Sequence, residues 1–506
     1  MGSAASRAGR LLAGWSANSV QLILGLVQQV ALVPVFLHFW TGEVLAAWLV
    51  IYAVGSLVLI ADGGLQFRAI NRFLGFKSGA DADGRTAQFY AALLRVYVCL
   101  AVVLAVLVLA VTRLVSPSVV LRFQGIADFD TAFVVMAAGI VLTLPSNLVV
   151  GLYRARGLYG RAVWLQNWGT LVGQVAQLAA IVLTGSLLAV VVVYVATQML
   201  IAVYLVAFDA RRQFPFLRRA GETPSPRWAI RQFRQGAPFG IAAATELALL
   251  NLPVLLVSAL VSDRVAVAQW GLTRVAAGLL RGVCLQATLP LAAELGHDHA
   301  VGATDRLRDL YARGSVFVAV LASVMVSGLL PFWRDFFELW THGAIPHDPA
   351  LAMTLLLGTA AVAPAILALS YASYSNRGGL LIRAKGLQLG VFLILSMLLI
   401  PPLGPLGAAI AIVASDLSIQ IGFLTSVVMR QTLRHPLRHA VFLAALMTAT
   451  VLSGCAIAII IRSLLPWTGL ARFFAECALW LIVAALAASP LAVGSIRERL
   501  IAAIPR

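Results

Sequence analysis

Long apolar stretches recur along the whole chain and are separated by short polar segments. Each is close to or above the roughly 20 residues that an α-helix needs to cross the hydrocarbon core of a bilayer. The pattern therefore predicts an all-α polytopic membrane protein. It predicts fourteen transmembrane helices, near residues 15–40, 44–70, 88–113, 130–153, 162–184, 187–208, 236–261, 267–293, 314–340, 351–373, 384–401, 405–429, 440–462 and 472–494.

Basic residues divide unevenly between the two sides of this topology. Fourteen spans place both termini on one side, which carries 28 of the 37 basic residues, whereas the opposite side carries six. Because Lys and Arg accumulate in cytoplasmic segments, both termini are predicted to be cytoplasmic. The same distribution accounts for most of the formal net charge of +17, so a nucleic-acid partner is not expected.

The amino-acid composition agrees with a membrane location and indicates the kind of organism from which the protein comes. Hydrophobic residues make up 61% of the chain, and the mean hydropathy is +0.94. Arginine is the basic residue everywhere except at Lys77 and Lys385, a bias typical of a GC-rich bacterial genome. We therefore predict a location in the bacterial inner (cytoplasmic) membrane.

Two pairs of segments indicate an internal repeat. The segment TGEVLAAW (41–48) follows helix 1 as SDRVAVAQW (262–270) follows helix 7, and YRARG (153–157) ends helix 4 as YSNRG (374–378) ends helix 10. Both pairs are offset by about 221 positions, which span six helices. The halves would enter the membrane in the same direction, with a site between them near the midplane.

This repeat predicts a division of the chain into four parts. They are an N-terminal six-helix lobe (1–208), a basic cytoplasmic linker (209–235), a C-terminal six-helix lobe (236–435), and helices 13 and 14 with a cytoplasmic tail (436–506).

Two arginines, Arg274 and Arg281, lie within predicted helix 8. They are seven residues apart, two helical turns, and therefore share one face. Together they disfavour insertion by about 5–7 kcal/mol, against roughly 4 kcal/mol returned by the apolar residues of the helix. This face should meet protein or water rather than lipid. Either the arginines pair with buried acids and hold the bundle together, or they line a basic lumen that receives an anion.

Few other charged residues lie within the membrane. The candidate acids, as counter-charges or as sites of ion coupling, are Glu246 in helix 7, Asp62 in helix 2 and Asp416 in helix 12. Glu246 has a depth comparable to that of Arg281, so it would either counter that arginine or titrate in a proton-coupled cycle. Arg95 in helix 3 would either snorkel to the cytoplasmic surface or face the lumen.

Two helices carry a polar stripe at helical spacing. Such stripes either form hydrogen bonds between helices or line a hydrated cavity. For the second alternative, Asn18, Gln28 and Gln174 are candidate substrate contacts. The stripes comprise Asn18, Gln21, Gly25, Gln28 and Gln29 in helix 1, and Gln166, Thr170, Gly173, Gln174 and Gln177 in helix 5.

Signals for catalysis and metal binding are poor. The HDH segment (297–299) is predicted to be a solvated loop, and the four cysteines fall in apolar segments without metal-ligand spacing. A phosphate-binding GxxxxGK[ST] loop is missing from the sequence. The longest predicted extracytoplasmic loop has only Asp128 and Asp130 as acids, which disfavours a glycosyltransferase or a polysaccharide polymerase. We expect a transporter without a cofactor rather than an enzyme.

Three segments resemble polysaccharide-export flippases of the multidrug/oligosaccharidyl-lipid/polysaccharide (MOP) superfamily. They are LIADGGLQFRAINRFLG at the end of helix 2, GLYRARGLYGRAVWLQ across helices 4 and 5, and PPLGPLGAAIA at the start of helix 12. The resemblance implies two six-helix lobes around a central cavity. Helices 13 and 14 resemble the extra pair of the longer members.

The resemblance also implies a function. The substrate would be an undecaprenyl-pyrophosphate-linked oligosaccharide, moved from the cytoplasmic to the periplasmic leaflet by alternating access for O-antigen, capsule or exopolysaccharide synthesis. Arg274 and Arg281 would bind its diphosphate, since guanidinium groups bind phosphate oxygens in a bidentate manner. A proton or sodium gradient could drive the cycle, and membrane lipids and other polysaccharide-assembly proteins would be the partners. The alternative is a cation-coupled multidrug exporter of the same superfamily.

The predicted topology can be tested with reporter fusions. At Gly221, only a reporter that functions in the cytoplasm should be active. Near Asp128, only a reporter that functions in the periplasm should be active. Both expectations follow from the uneven distribution of basic residues. The opposite result at either position would invalidate the topology.

Overall fold

The computed structural model describes residues 16, 20, 21, 23–76, 84–218, 225–375, 377–465, 469–489 and 504, and every regular element in this part is helical. All fourteen predicted helices are present, which confirms the fold class. We number them α1–α14: Ile23–Phe39, Gly42–Asp62, Arg85–Leu114, Phe129–Ala155, Tyr159–Thr184, Leu187–Gln213, Pro226–Leu260, Arg264–Ala300, Thr304–Leu329, Pro349–Tyr374, Gly378–Leu403, Pro405–Thr432, Pro436–Leu464 and Gly469–Ala488.

Eleven of these helices are long and apolar enough to cross a bilayer, so the chain is a multi-pass membrane protein. Within the described residues, the three others are α1, α5 and α8. The described part of α1 is apolar but shorter. The helices α5 and α8 have the required length but contain the second polar stripe and the two arginines.

Local sequence determines where several helices begin. Hydroxyl and carboxylate side chains at the N-caps accept backbone N–H groups: Ser186 that of Ala189 at 3.4 Å, and Asp348 that of Leu351 at 3.1 Å. Proline occupies the first turn of α7, α10, α12 and α13, where its missing N–H leaves no hydrogen bond unmade.

The sequence predicts one continuous helix over 44–70, and this is wrong. The helix α2 ends at Asp62, Gly63 and Gly64 have positive φ angles of 56° and 80°, and a separate short helix spans Leu65–Phe76. Two consecutive glycines make this conformation possible, because other residues rarely adopt it. Periodicity alone could not reveal the break, since apolar residues continue on both sides of it.

Other boundaries also differ from the prediction. The ninth span is interrupted after Leu329, and a short helix, Trp333–Trp340, follows Pro331. The helix α7 begins at Pro226, ten residues before the predicted start. The helix α8 continues to Ala300 and therefore includes the HDH segment. The prediction that HDH is a solvated loop is wrong for Asp298, which is only 2% exposed.

The chain divides into two compact units, Met1–Arg264 and Val265–Arg506. A core in the first unit surrounds Phe73, Tyr97 and Tyr153, and one in the second surrounds Tyr311 and Tyr371. The four-part division stated above stays a prediction.

Within the first unit, Gly64 packs directly against α7. A Cβ added to Gly64 would lie less than 3.0 Å from backbone atoms of both Gly236 and Gly240. Backbone atoms cannot move aside as a flexible side chain can. We conclude that glycine at position 64 is needed for both its φ angle and its contact with α7.

Gly64→Ala should therefore lower the unfolding temperature of the purified protein in detergent. The left-handed conformation costs about 1–2 kcal/mol with a Cβ, and the clash a further 1–3 kcal/mol or so. Gly75→Ala is the matched control, since a Cβ there meets nothing within 4 Å. Equal unfolding temperatures for the two variants would contradict this account of the turn.

Candidate functional site

The arginine face of α8, which we define as Arg274 and Arg281, lies in the second unit. Both side chains are half-buried. Two helical turns separate their Cα atoms by about 10 Å along the helix axis. Ala276 and Leu280 lie on the opposite side of the helix and are buried. The helix therefore presents two positive charges on one side and an apolar surface on the other.

Arg274 has no compensating charge in the described part of the chain. There it forms neither a hydrogen bond nor an ion pair. An arginine near the middle of a membrane helix disfavours insertion by about 2.5–3.5 kcal/mol. Within the described residues, Arg274 therefore lacks the acidic partner that the first alternative requires, and the choice between the two alternatives stays a prediction.

Arg281 differs, because it faces an acid. Its Nη1 atom lies 3.7 Å from Oδ2 of Asp416, at the point where the π-helical part of α12, Asp416–Thr425, begins. The other carboxylate oxygen, Oδ1, accepts hydrogen bonds from the amide groups of Gln388 and Gln420, the latter at 2.7 Å. Three helices thus converge on one carboxylate, and π-helical segments are frequent at functional sites.

Lys385 belongs to this cluster, although the predicted topology placed it among the cytoplasmic basic residues and not among the site residues. It lies in α11, is only 4% exposed, and donates to Oε1 of Gln388 at 3.4 Å. Two signals could have identified it. It is one of only two lysines in an arginine-rich chain, and Gln388 follows it at the i+3 spacing that places two side chains on one helix face.

The polar stripes of α1 and α5 contact each other in the first unit. Gln28 donates to Gln177 at 3.3 Å, and Gln174, 3% exposed, donates to the backbone carbonyl of Leu24 at 2.7 Å. These are the interhelical hydrogen bonds of the first alternative. Asn18 lies outside the described residues. A substrate contact through Asn18, Gln28 or Gln174 stays a prediction.

The remaining predicted site residues also lie in the first unit. Asp62 accepts hydrogen bonds from the Tyr97 hydroxyl at 2.5 Å and from the backbone N–H of Gln66 at 3.1 Å, so it caps the short helix that follows α2. The Nη1 atom of Arg95 is buried and has no hydrogen-bond partner among the described residues. Glu246 lies half-buried on α7.

Besides Asp298, two buried acids were not identified from the sequence. Asp209, 1% exposed, accepts hydrogen bonds from Arg161 at 2.5 and 3.1 Å and from Tyr153. Glu476, 0% exposed, pairs with Arg472 at 2.8 Å. The i, i+4 spacing could have revealed the second pair. The partners of Asp209 are distant in sequence, so no local pattern could have revealed them.

These features define a class: an all-helical, multi-pass membrane protein with charged clusters inside its helical units. No protein-family model matches the sequence, and no curated protein matches it. Solved structures do match the fold, with probability 1.00 for each of the following three.

The lipid II flippase MurJ, in an inward closed conformation, is similar over 94% of this chain and 99% of its own, with a TM-score of 0.69 and 11% sequence identity. An inward-facing multidrug resistance MATE family transporter of the MOP superfamily covers 85% of this chain and 99% of its own, with a TM-score of 0.59 and 15% identity. A MOP superfamily transporter from Pyrococcus furiosus, characterised by the reverse polarity of its binding pocket, covers 83% and 94%, with a TM-score of 0.54 and 13% identity. At these identities the likeness establishes the fold alone.

Proposed function

We propose that the protein is a flippase that moves an undecaprenyl-pyrophosphate-linked oligosaccharide from the cytoplasmic to the periplasmic leaflet by alternating access. The observation that carries the proposal is Arg274, a membrane-embedded guanidinium without an ion pair among the described residues. An uncompensated positive charge in this environment favours an anionic ligand. A diphosphate also matches the planar, bidentate donor geometry of arginine.

Arg281 would provide the second contact to the diphosphate. It shares a face of α8 with Arg274, and its ion pair with Asp416 is long at 3.7 Å. The amide side chains of α1 and α5 would contact sugar hydroxyls, and Arg95 would add positive charge. Glu246, Asp62 or Asp416 would couple the cycle to a proton or sodium gradient. The resemblance in sequence to polysaccharide-export flippases and the likeness of the fold to MurJ support this assignment.

A cation-coupled multidrug exporter is the second candidate. The likeness of the fold to a multidrug resistance MATE family transporter favours it. A cavity for cationic drugs should present uncompensated acids, whereas Asp62 and Asp416 both have polar partners in this structure. The two candidates therefore differ in the charge of the ligand they would bind.

Arg274→Ala and Arg281→Ala should each slow flipping in liposomes that contain the purified protein and a fluorescent undecaprenyl-diphosphate oligosaccharide. The flipping rate is measured as the rate at which the lipid fluorescence is lost to a quencher that cannot cross the membrane. Each variant should lose about tenfold or more, because a hydrogen bond to a charged group contributes about 1.5–3 kcal/mol. Lysine at either position should restore part of the rate, since it keeps the charge but not the bidentate geometry.

The matched control is Arg334→Ala. Arg334 is 68% exposed and pairs with Glu338 on the short helix Trp333–Trp340, so its loss should leave the rate unchanged. A double variant, Arg274→Ala with Arg281→Ala, that flips the lipid at the normal rate would overturn the proposal. Transport of a cationic dye by the same liposomes, without flipping of the lipid, would establish the second candidate instead.

A further inference from the structure

The two oxygens of the Asp416 carboxylate have different surroundings. Oδ1 accepts hydrogen bonds from the amide groups of Gln388 and Gln420, which are each 1% exposed. Oδ2 lies 3.7 Å from Nη1 of Arg281. The hydrogen bonds from the two amides thus reach one oxygen, and the ion pair with Arg281 reaches the other.

The ion pair between Arg281 and Asp416 has a geometry that allows a ligand to replace the carboxylate. Hydrogen bonds between guanidinium and carboxylate groups are typically about 2.7–2.9 Å long, and this pair is longer by close to 1 Å. The Arg281 side chain is 28% exposed and that of Asp416 12%. A ligand that reaches the exposed part of the guanidinium could therefore replace the carboxylate.

Asp416 would remain stabilised after such an exchange. A buried carboxylate that loses its only partner is strongly disfavoured, but the hydrogen bonds to Oδ1 do not involve Arg281. Lys385 donates to Oε1 of Gln388 at 3.4 Å, and this places a positive charge one side chain away from Asp416. The cluster in α11 and α12 can thus hold the acid with or without the arginine.

We propose that Asp416 pairs with Arg281 while the site is empty and that the anionic head of the substrate replaces Asp416 at Arg281 when the substrate binds. This inference rests on the proposed function and specifies how the same site selects its ligand. In the empty site the carboxylate partly neutralises Arg281, which lowers the cost of keeping that charge in the membrane. A ligand must then offer Arg281 a stronger interaction than one carboxylate does.

This competition makes Asp416 a specificity-determining residue. A diphosphate has more negative charge than a carboxylate and can engage both Arg281 and Arg274, so it displaces Asp416. A neutral lipid or a lipid with a single carboxylate interacts with Arg281 too weakly to displace Asp416. A cationic drug would be repelled by both arginines and would have to compete with Arg281 for the carboxylate, which disfavours its binding.

Substitutions of Asp416 should change the affinity for farnesyl diphosphate in opposite directions. We suggest calorimetric titration of the full-length protein in detergent, with farnesol as the uncharged control ligand. Asp416→Asn should tighten binding by up to about fivefold, the range expected for loss of one partly exposed ion pair. Asp416→Glu should weaken binding, because its longer side chain brings the carboxylate closer to Arg281. If the asparagine variant does not fold, the glutamate variant tests the proposal alone.

A double-variant cycle separates competition at Arg281 from a general effect of charge. In an Arg281→Ala background, Asp416→Asn should no longer tighten binding, because there is no arginine left to release. Glu338→Gln, which removes an acid that is 47% exposed on the short helix Trp333–Trp340, should have no effect in either background. Equal tightening by Asp416→Asn with and without Arg281 would overturn the proposal.

Two further outcomes distinguish failure of this proposal from failure of the proposed function. If Arg281→Ala weakens binding but Asp416→Asn weakens it too, or leaves it unchanged, Asp416 is not a competitor and the proposed function is unaffected. If neither Arg274→Ala nor Arg281→Ala changes the affinity for farnesyl diphosphate, both this proposal and the proposed function are wrong.

Discussion

The cost of placing charge inside a membrane is the constraint on which this structure depends. A buried ionised group needs a partner of opposite charge or several hydrogen bonds. Three of the described buried acids satisfy this requirement inside the helical units: Asp209 through Arg161 and Tyr153, Glu476 through Arg472, and Asp416 through two amides and Arg281. Arg274 is different, because nothing in the described residues compensates its charge. The proposed function follows from this difference.

The same constraint relates helix composition to helix contacts. The helices α5 and α8 are long, and they carry the second polar stripe and the two arginines. Their polar groups are used within the units, in hydrogen bonds between α1 and α5 and in the contact of α8 with α12. Hydrogen bonds between membrane helices contribute about 0.6 kcal/mol each on average. Such contacts position a site more than they stabilise the fold.

Hydropathy was sufficient to predict the fold class and all fourteen helices, because span length and apolar content are properties of a local segment. The break at Gly63–Gly64 lies inside such a segment and depends on backbone conformation, so it was missed. Candidate charges could be named, but their pairing could not. The contact of Arg281 with Asp416 and the burial of Lys385 depend on how distant helices pack. Sequence spacing does not report such contacts.

The accessibility and charge preference of the arginine face can be measured directly with thiol reagents. Arg274→Cys would be introduced into a protein in which Cys99, Cys284, Cys455 and Cys477 are replaced, with Arg281 retained. If α8 presents an anion-binding face, a water-soluble anionic thiosulfonate will label position 274 faster than a cationic one of similar size, and farnesyl diphosphate will slow the labelling. A folded, membrane-inserted variant that reacts with neither reagent, or reacts faster with the cationic one, would contradict an anion-binding face on α8.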